Sequence, residues 1–88
     1  MKLNYKIEIN EVSDIYVGVA IDYETSKPQK MFRLNDTGVV IIKALQDGLN
    51  QEEITTRVMD SFIVDEAKAK VEVAAFIQTL IDNGLVSE

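Results

Sequence analysis

Along the first third of the chain, apolar and polar residues alternate. In Tyr5-Lys6-Ile7-Glu8-Ile9-Asn10-Glu11-Val12, the apolar Tyr5, Ile7 and Ile9 fall on every second position, the period of a strand with one face against a core. Ser13-Asp14 suits a turn. Beyond it Ile15, Val17, Val19 and Ile21 again recur at period two, so the two runs predict an antiparallel hairpin. Asp22 to Pro28 is polar and contains the only proline, which reads as a loop. A shorter third strand is predicted from Gln29 to Leu34.

From Asn35 onward the period becomes helical. Asn35 is a good N-cap, and Asp36 complements the positive end of a helix. Ile41, Ile42 and Leu45 follow at helical spacing, and Gly48 ends the element. Asn50 opens a second helix, with Glu53 placed to reach back to the cap N–H and Leu49 placed to staple onto Ile54. Ile54 and Val58 form the buried side of this short helix. Asp65 caps a third, longer helix that runs to about Asn83, with Gly84 ending it.

Three strands followed by three helices predict an α+β fold, the helices on one face of an antiparallel sheet. A short second helix, a tight turn and a long third helix also suit a helix-turn-helix. The expected architecture is a single winged-helix-like domain over residues 1–88, with element order β-β-β-α-α-α.

Composition narrows the function. At 47% apolar and 27% charged, the 88 residues are those of a small soluble globule. The chain has no Cys, no His and no Trp. It therefore lacks a disulfide, a thiolate nucleophile, an imidazole base and the usual zinc ligands, and no acidic calcium loop appears. No cofactor is expected. Met1 to Lys6 alternates with polar residues rather than forming an apolar signal segment, and no run approaches a membrane span, so a cytoplasmic location without membrane contact is expected. Residues 1–35 are electrically neutral, and the whole net charge of −6 lies in residues 36–88.

Two features carry candidate function. On the last helix, Ala69, Val73, Phe76, Ile77 and Leu80 fall within an arc of roughly 100°, an ordinary core seam. Ala74 and Ile81 widen this seam along one flank. Packed inward they extend the core; left open, with small Ala74 and Ala75, they wall a groove beside the sheet. The second feature is Lys27, Lys30 and Arg33, three of nine cations within seven residues that contain no acid. A charged edge strand resists unwanted pairing. It also suits strand addition by an extended acidic peptide.

DNA binding is the usual role of a winged helix, but the third helix sets Lys68 and Lys70 against Asp65, Glu66, Glu72 and Asp82 and has no arginine. A net acidic element is a poor match for phosphates, so no nucleic-acid partner is expected. Glu52-Glu53 looks like a carboxylate pair, but helix-start chemistry explains both residues. No Gly-rich phosphate loop exists, so the chain is not expected to be an enzyme.

The block Phe32-Arg33-Leu34-Asn35-Asp36-Thr37-Gly38 resembles the Leu-Asn-(Glu/Asp)-Thr-Gly signature of PqqD-like proteins, the peptide chaperones also called RiPP precursor recognition elements. Leu45-Gln46-Asp47-Gly48 looks like the family's Leu-Leu-Asp-Gly, and Asn50-Gln51-Glu52-Glu53-Ile54 is similar to its Thr-x-Glu-Glu-Ile. Val64-Asp65 matches the start of the family's last helix; Phe76-Ile77-x-x-Leu80 with Gly84-Leu85 matches its end. Ile42 stands where the family often has tryptophan. The clear motifs cover residues 32–86, and the strands match by pattern.

The resemblance implies that the leader segment of a ribosomally made precursor peptide docks as an extra strand against the third strand, in its cleft with the last helix. It also implies a modifying enzyme as partner, commonly a radical S-adenosylmethionine enzyme, with pyrroloquinoline quinone or another modified peptide as product. The expected peptide-binding residues are Lys27, Lys30, Met31, Phe32 and Arg33 on the strand side and Val71, Ala74, Gln78 and Ile81 on the helix side. The alternatives are a winged-helix regulator contacting DNA or a protein, and a homodimer that pairs the same edge strand.

Overall fold

The computed structural model describes residues 1–88. In chain order it contains β1 (Lys2–Leu3), β2 (Lys6–Val12), β3 (Ile15–Ile21), β4 (Pro28–Leu34), α1 (Asp36–Gln46), α2 (Gln51–Ser61), α3 (Glu66–Asp82) and β5 (Val86–Ser87). Strands β2, β3 and β4 form one antiparallel sheet in sequence order, and the three helices follow. The fold is α+β as expected, and winged-helix-like describes it only loosely. The periodicity gave no sign of β1 and β5, which pair antiparallel through Lys2 with Ser87 and Leu3 with Val86. Asn4 reinforces this clamp: its N–H donates to the Leu85 carbonyl and its side-chain amide to the Gly84 carbonyl.

The β2–β3 turn fixes the hydrogen-bonding phase of the whole sheet. Ser13 and Asp14 both adopt positive φ, at 50° and 68°, as a two-residue hairpin turn requires. Val12 and Ile15 flank that turn as a register pair, so they form a hydrogen-bonded pair, and bonded and non-bonded pairs alternate from there. On β3 the groups directed at β4 are therefore those of Tyr16, Gly18 and Ala20, opposite Leu34, Phe32 and Lys30. The N–H and C=O groups of Met31 and Arg33 point away from β3, to the open edge. On the opposite edge, the same alternation turns the Ile7 carbonyl outward, where it accepts a 2.7 Å hydrogen bond from the Gln46 side-chain amide.

The two faces of the sheet differ. Ile7, Gly18, Ala20 and Leu34 share the face beneath the helices and are buried. Ile15, Val17, Val19 and Ile21 occupy the other face, at the surface or half-buried. Small residues are favoured on the inner face of β3 because Phe32 lies across it: a Cβ at Gly18 would stand 2.6 Å from the Phe32 ring. An aromatic laid over a cross-strand glycine is a familiar way to fill such a gap.

The helices begin where their caps dictate. Asn35, Asn50 and Asp65 each accept a backbone N–H three residues on, and Asn50 with Glu53 closes a reciprocal capping box at 2.8 and 3.0 Å. Gly48 and Gly84, at φ of 79° and 73°, end α1 and α3. Ile41, Ile42, Ile54, Val58 and Val73 are the largest fully buried side chains and lie at the junction of the three helices.

Two stability outcomes follow. Replacing Asn50 with alanine removes the box and should cost about 1 kcal/mol in urea unfolding. Asp22, in the loop before β4, accepts the backbone N–H groups of Thr25 and Glu24, at 3.0 and 2.8 Å, which hold its carboxyl below the ordinary range. Its contribution is fully present above the unfolded value of about 4 and is lost as pH falls through the lower folded value. The stability gap between wild type and Asp22→Ala should therefore narrow as urea melts are taken below about pH 4.

Candidate functional site

The open edge of β4 faces α3 across a narrow cleft of about 170 Å³. Its walls are Phe32 on the strand and Phe76 and Leu80 on the helix, with Leu85 beside them. Lys30 and Asn83 close one end, where the Lys30 ammonium donates to the Asn83 carbonyl at the last turn of α3. A cation there also complements the negative end of the helix. Phe76 and Thr79 line the neighbouring hollow as well, about 390 Å³ between α3 and the start of α1. The two spaces together form a groove along α3 from Glu72 to Asn83.

The Leu34-Asn35-Asp36-Thr37-Gly38 block builds this groove. Leu34 ends β4 with its side chain buried, and Asn35 turns the chain into α1 by accepting the Gly38 N–H at 2.7 Å. Gly38 then sits against both Leu34 and Phe76: a Cβ there would stand 3.1 Å from each. The missing side chain lets Phe76 approach the end of β4, which sets the width of the cleft.

Lys30, Met31, Phe32 and Arg33 all line the cleft. They do not act alike, because alternation sends the side chains of Lys30 and Phe32 to the helix face and those of Met31 and Arg33 to the outer face. Lys27 lies in the loop before β4, outside the cleft, so the three cations do not form one patch.

On the helix side, the four residues expected from the sequence lie away from this cleft. The groove is walled by Phe76, Thr79, Leu80 and Asn83, whereas Val71, Ala74, Gln78 and Ile81 lie roughly 130–170° around the helix from that wall. Val71 is exposed, Ala74 faces α2, Gln78 bonds to Asp82 at 2.9 Å, and Ile81 packs against the core. The apolar seam has two flanks, and Ala74 and Ile81 widen the one turned away from β4. The flank that meets β4 carries polar Thr79 and Asn83, which look solvated in sequence. Its one signal is Phe76, the aromatic at that margin of the seam.

A wider groove of about 550 Å³ separates α2 from α3. Its lining is mainly polar, and Lys70 is tied to Glu66 across 2.9 Å, a bond that raises the lysine's affinity for its proton. The backbone on both sides is helical and internally bonded, so this groove offers a docking chain nothing comparable to the β4 edge. Glu53 is held in the capping box and Glu52 lies on the groove's rim. Lys68 and Lys70 each pair with a carboxylate one turn away, Glu72 at 4.0 Å and Glu66 at 2.9 Å, which leaves α3 poorly equipped for phosphates. No cluster of three metal-ligating side chains is present, and no helix is long and apolar enough to cross a membrane.

The family model described as coenzyme PQQ synthesis protein D (PqqD) matches residues 18–86. Among solved structures, the chain is similar to TbiB1 in complex with the TbiA(beta) leader peptide, at 21% identity, a TM-score of 0.73 and full coverage of both chains. It is also similar to lasso peptide synthetase B1 complexed with the leader peptide, at 22% identity and a TM-score of 0.71, covering 99% of this chain and 96% of that one. At such identities the likeness is one of fold. Curated protein sequences give no significant match.

Because Phe32 walls the cleft and rests on Gly18, Gly18→Ala should push the ring aside. The expected result is a loss of about 1–3 kcal/mol in chemical unfolding, together with shifted Phe32 and Phe76 ring resonances.

Proposed function

The chain belongs to the PqqD family, and we propose that it is a non-catalytic chaperone that takes up the leader segment of a ribosomally made precursor peptide as a fourth strand on β4. The observation that carries this is the pair of unbonded backbone positions, Met31 and Arg33, beside an apolar cleft. Each offers one N–H and one C=O, and each hydrogen bond contributes about 0.5–1.5 kcal/mol net. Strand addition supplies affinity from the main chain and specificity from alternate side chains. A leader residue opposite Phe32 points into the space between Phe76 and Leu80, and one opposite Lys30 lies beside a cation, which favours an acid there. That the two similar structures are named as complexes with leader peptides supports the same reading.

On this reading Lys30 and Phe32 contact leader side chains, Met31 and Arg33 hold its backbone, and Lys27 acts only at a distance. Chemistry belongs to a partner enzyme in the cytoplasm, of the radical S-adenosylmethionine type that the family resemblance implies. The domain itself needs no cofactor, only to hold an extended substrate in one register.

Titration with a synthetic leader peptide, followed by amide NMR, should shift resonances in residues 29–34 and 76–85; changes centred on the α2–α3 groove would sink the site. Met31→Pro sharpens the test. Its N–H faces solvent, so the sheet keeps its own ladder, while the docked strand loses a donor. Peptide affinity should fall about tenfold with the fold intact by circular dichroism.

A further inference from the structure

We propose that the outer face of the β2–β3–β4 sheet is a self-association surface that takes a second copy of this chain. The surface is distinct from the β4 edge and does not depend on peptide docking. Ile15, Val17, Val19 and Ile21 run along the central strand on the side away from the helices. The register adds Val12 beside Ile15 and Met31 beside Val19. Val12, Ile15 and Met31 are 58%, 38% and 72% exposed, and none of the six side chains packs against the hydrophobic core. A strand that is apolar on both faces is characteristic of sheets covered on both sides, and no element of residues 1–88 covers the outer face of this one.

The charges flanking the stripe point to a second copy. Lys6 and Glu8 stand beside Ile21 and Val19 on the β2 side, and Arg33 stands beside Val17 on the β4 side, so Glu8 and Arg33 are diagonal across the centre of the sheet. When two such faces meet about a twofold axis along the other diagonal, their strands cross at nearly a right angle, a standard packing of two sheets. Each Arg33 then lies over the partner's Glu8, and the contact is isologous. Val17 and Val19 fall at its centre. The acidic helical halves, which carry the net charge of −6, point outward and away from each other. The backbone edge of β4 stays open at the side.

The face is small. Three strands of seven residues span about 14 by 23 Å, short of what a permanent dimer covers, so association is weak and depends on concentration.

Sedimentation equilibrium from about 10 μM to 1 mM tests this, with circular dichroism as the check on folding. Wild type should move towards a dimer over that range. Val19→Lys should weaken association at least about tenfold by placing a charge at the centre of the contact. Glu8→Arg and Arg33→Glu should each weaken it, and the double exchange should restore it. A wild-type chain that stays monomeric at about 1 mM overturns the proposal. So does a dimer insensitive to Val19→Lys and to the charge exchange; if Met31→Pro disrupts that dimer, the contact is the β4 edge instead.

Discussion

The contact between Gly38, Leu34 and Phe76 joins the three parts of the molecule that matter for its proposed work. Leu34 closes β4, Gly38 opens α1, and Phe76 comes from the middle of α3. With ring carbons 3.1 Å from where a Cβ would stand, any larger residue would make Phe76 or Leu34 give way by a few tenths of an ångström. The cap at Asn35 fixes the angle at which α1 leaves the sheet, and the glycine fixes how near α3 can come. Cleft width is therefore set by local geometry at one turn, more than by the bulk of the core. This is a physical reason for the Leu-Asn-Asp-Thr-Gly block to stand together: each residue serves the same junction.

A second constraint comes from the hairpin turn. Two residues at positive φ set which backbone groups of β3 face β4, and so which groups of β4 remain for a partner. Met31 and Arg33 present backbone to the edge and side chains to the outer face, while Lys30 and Phe32 use their backbone inside the sheet and their side chains in the cleft. One seven-residue strand thus serves three surfaces without any residue having to serve two with its side chain.

The caps, the hairpin and the strand-to-helix order were legible in sequence because each is a local signal. Asn35, Asn50 and Asp65 act on neighbours three residues away, and alternation marks a strand wherever it occurs. The side of α3 that meets β4 was not legible. A helical seam has two flanks, and which one meets the sheet depends on the angle of docking, a property of Gly38 and Phe76 together. The faces of β3 show the same limit. Its β-branched residues look like core, yet Gly18 and Ala20 are the buried ones, because Phe32 from the next strand needs the room. The β1–β5 clamp is not legible in the sequence because strands of two residues carry no period.

Gln46 has a consequence of its own. A sheet with two open edges can add a strand on either side, and a molecule that does so becomes the template for the next, as in a growing fibre. Here the Gln46 amide occupies the Ile7 carbonyl on one margin. An extended chain pairing at that margin would have to displace the amide first, so the two edges of the sheet are not equivalent. A single helix side chain thus gives the sheet a direction, with one margin engaged by its own fold and the other turned to solvent.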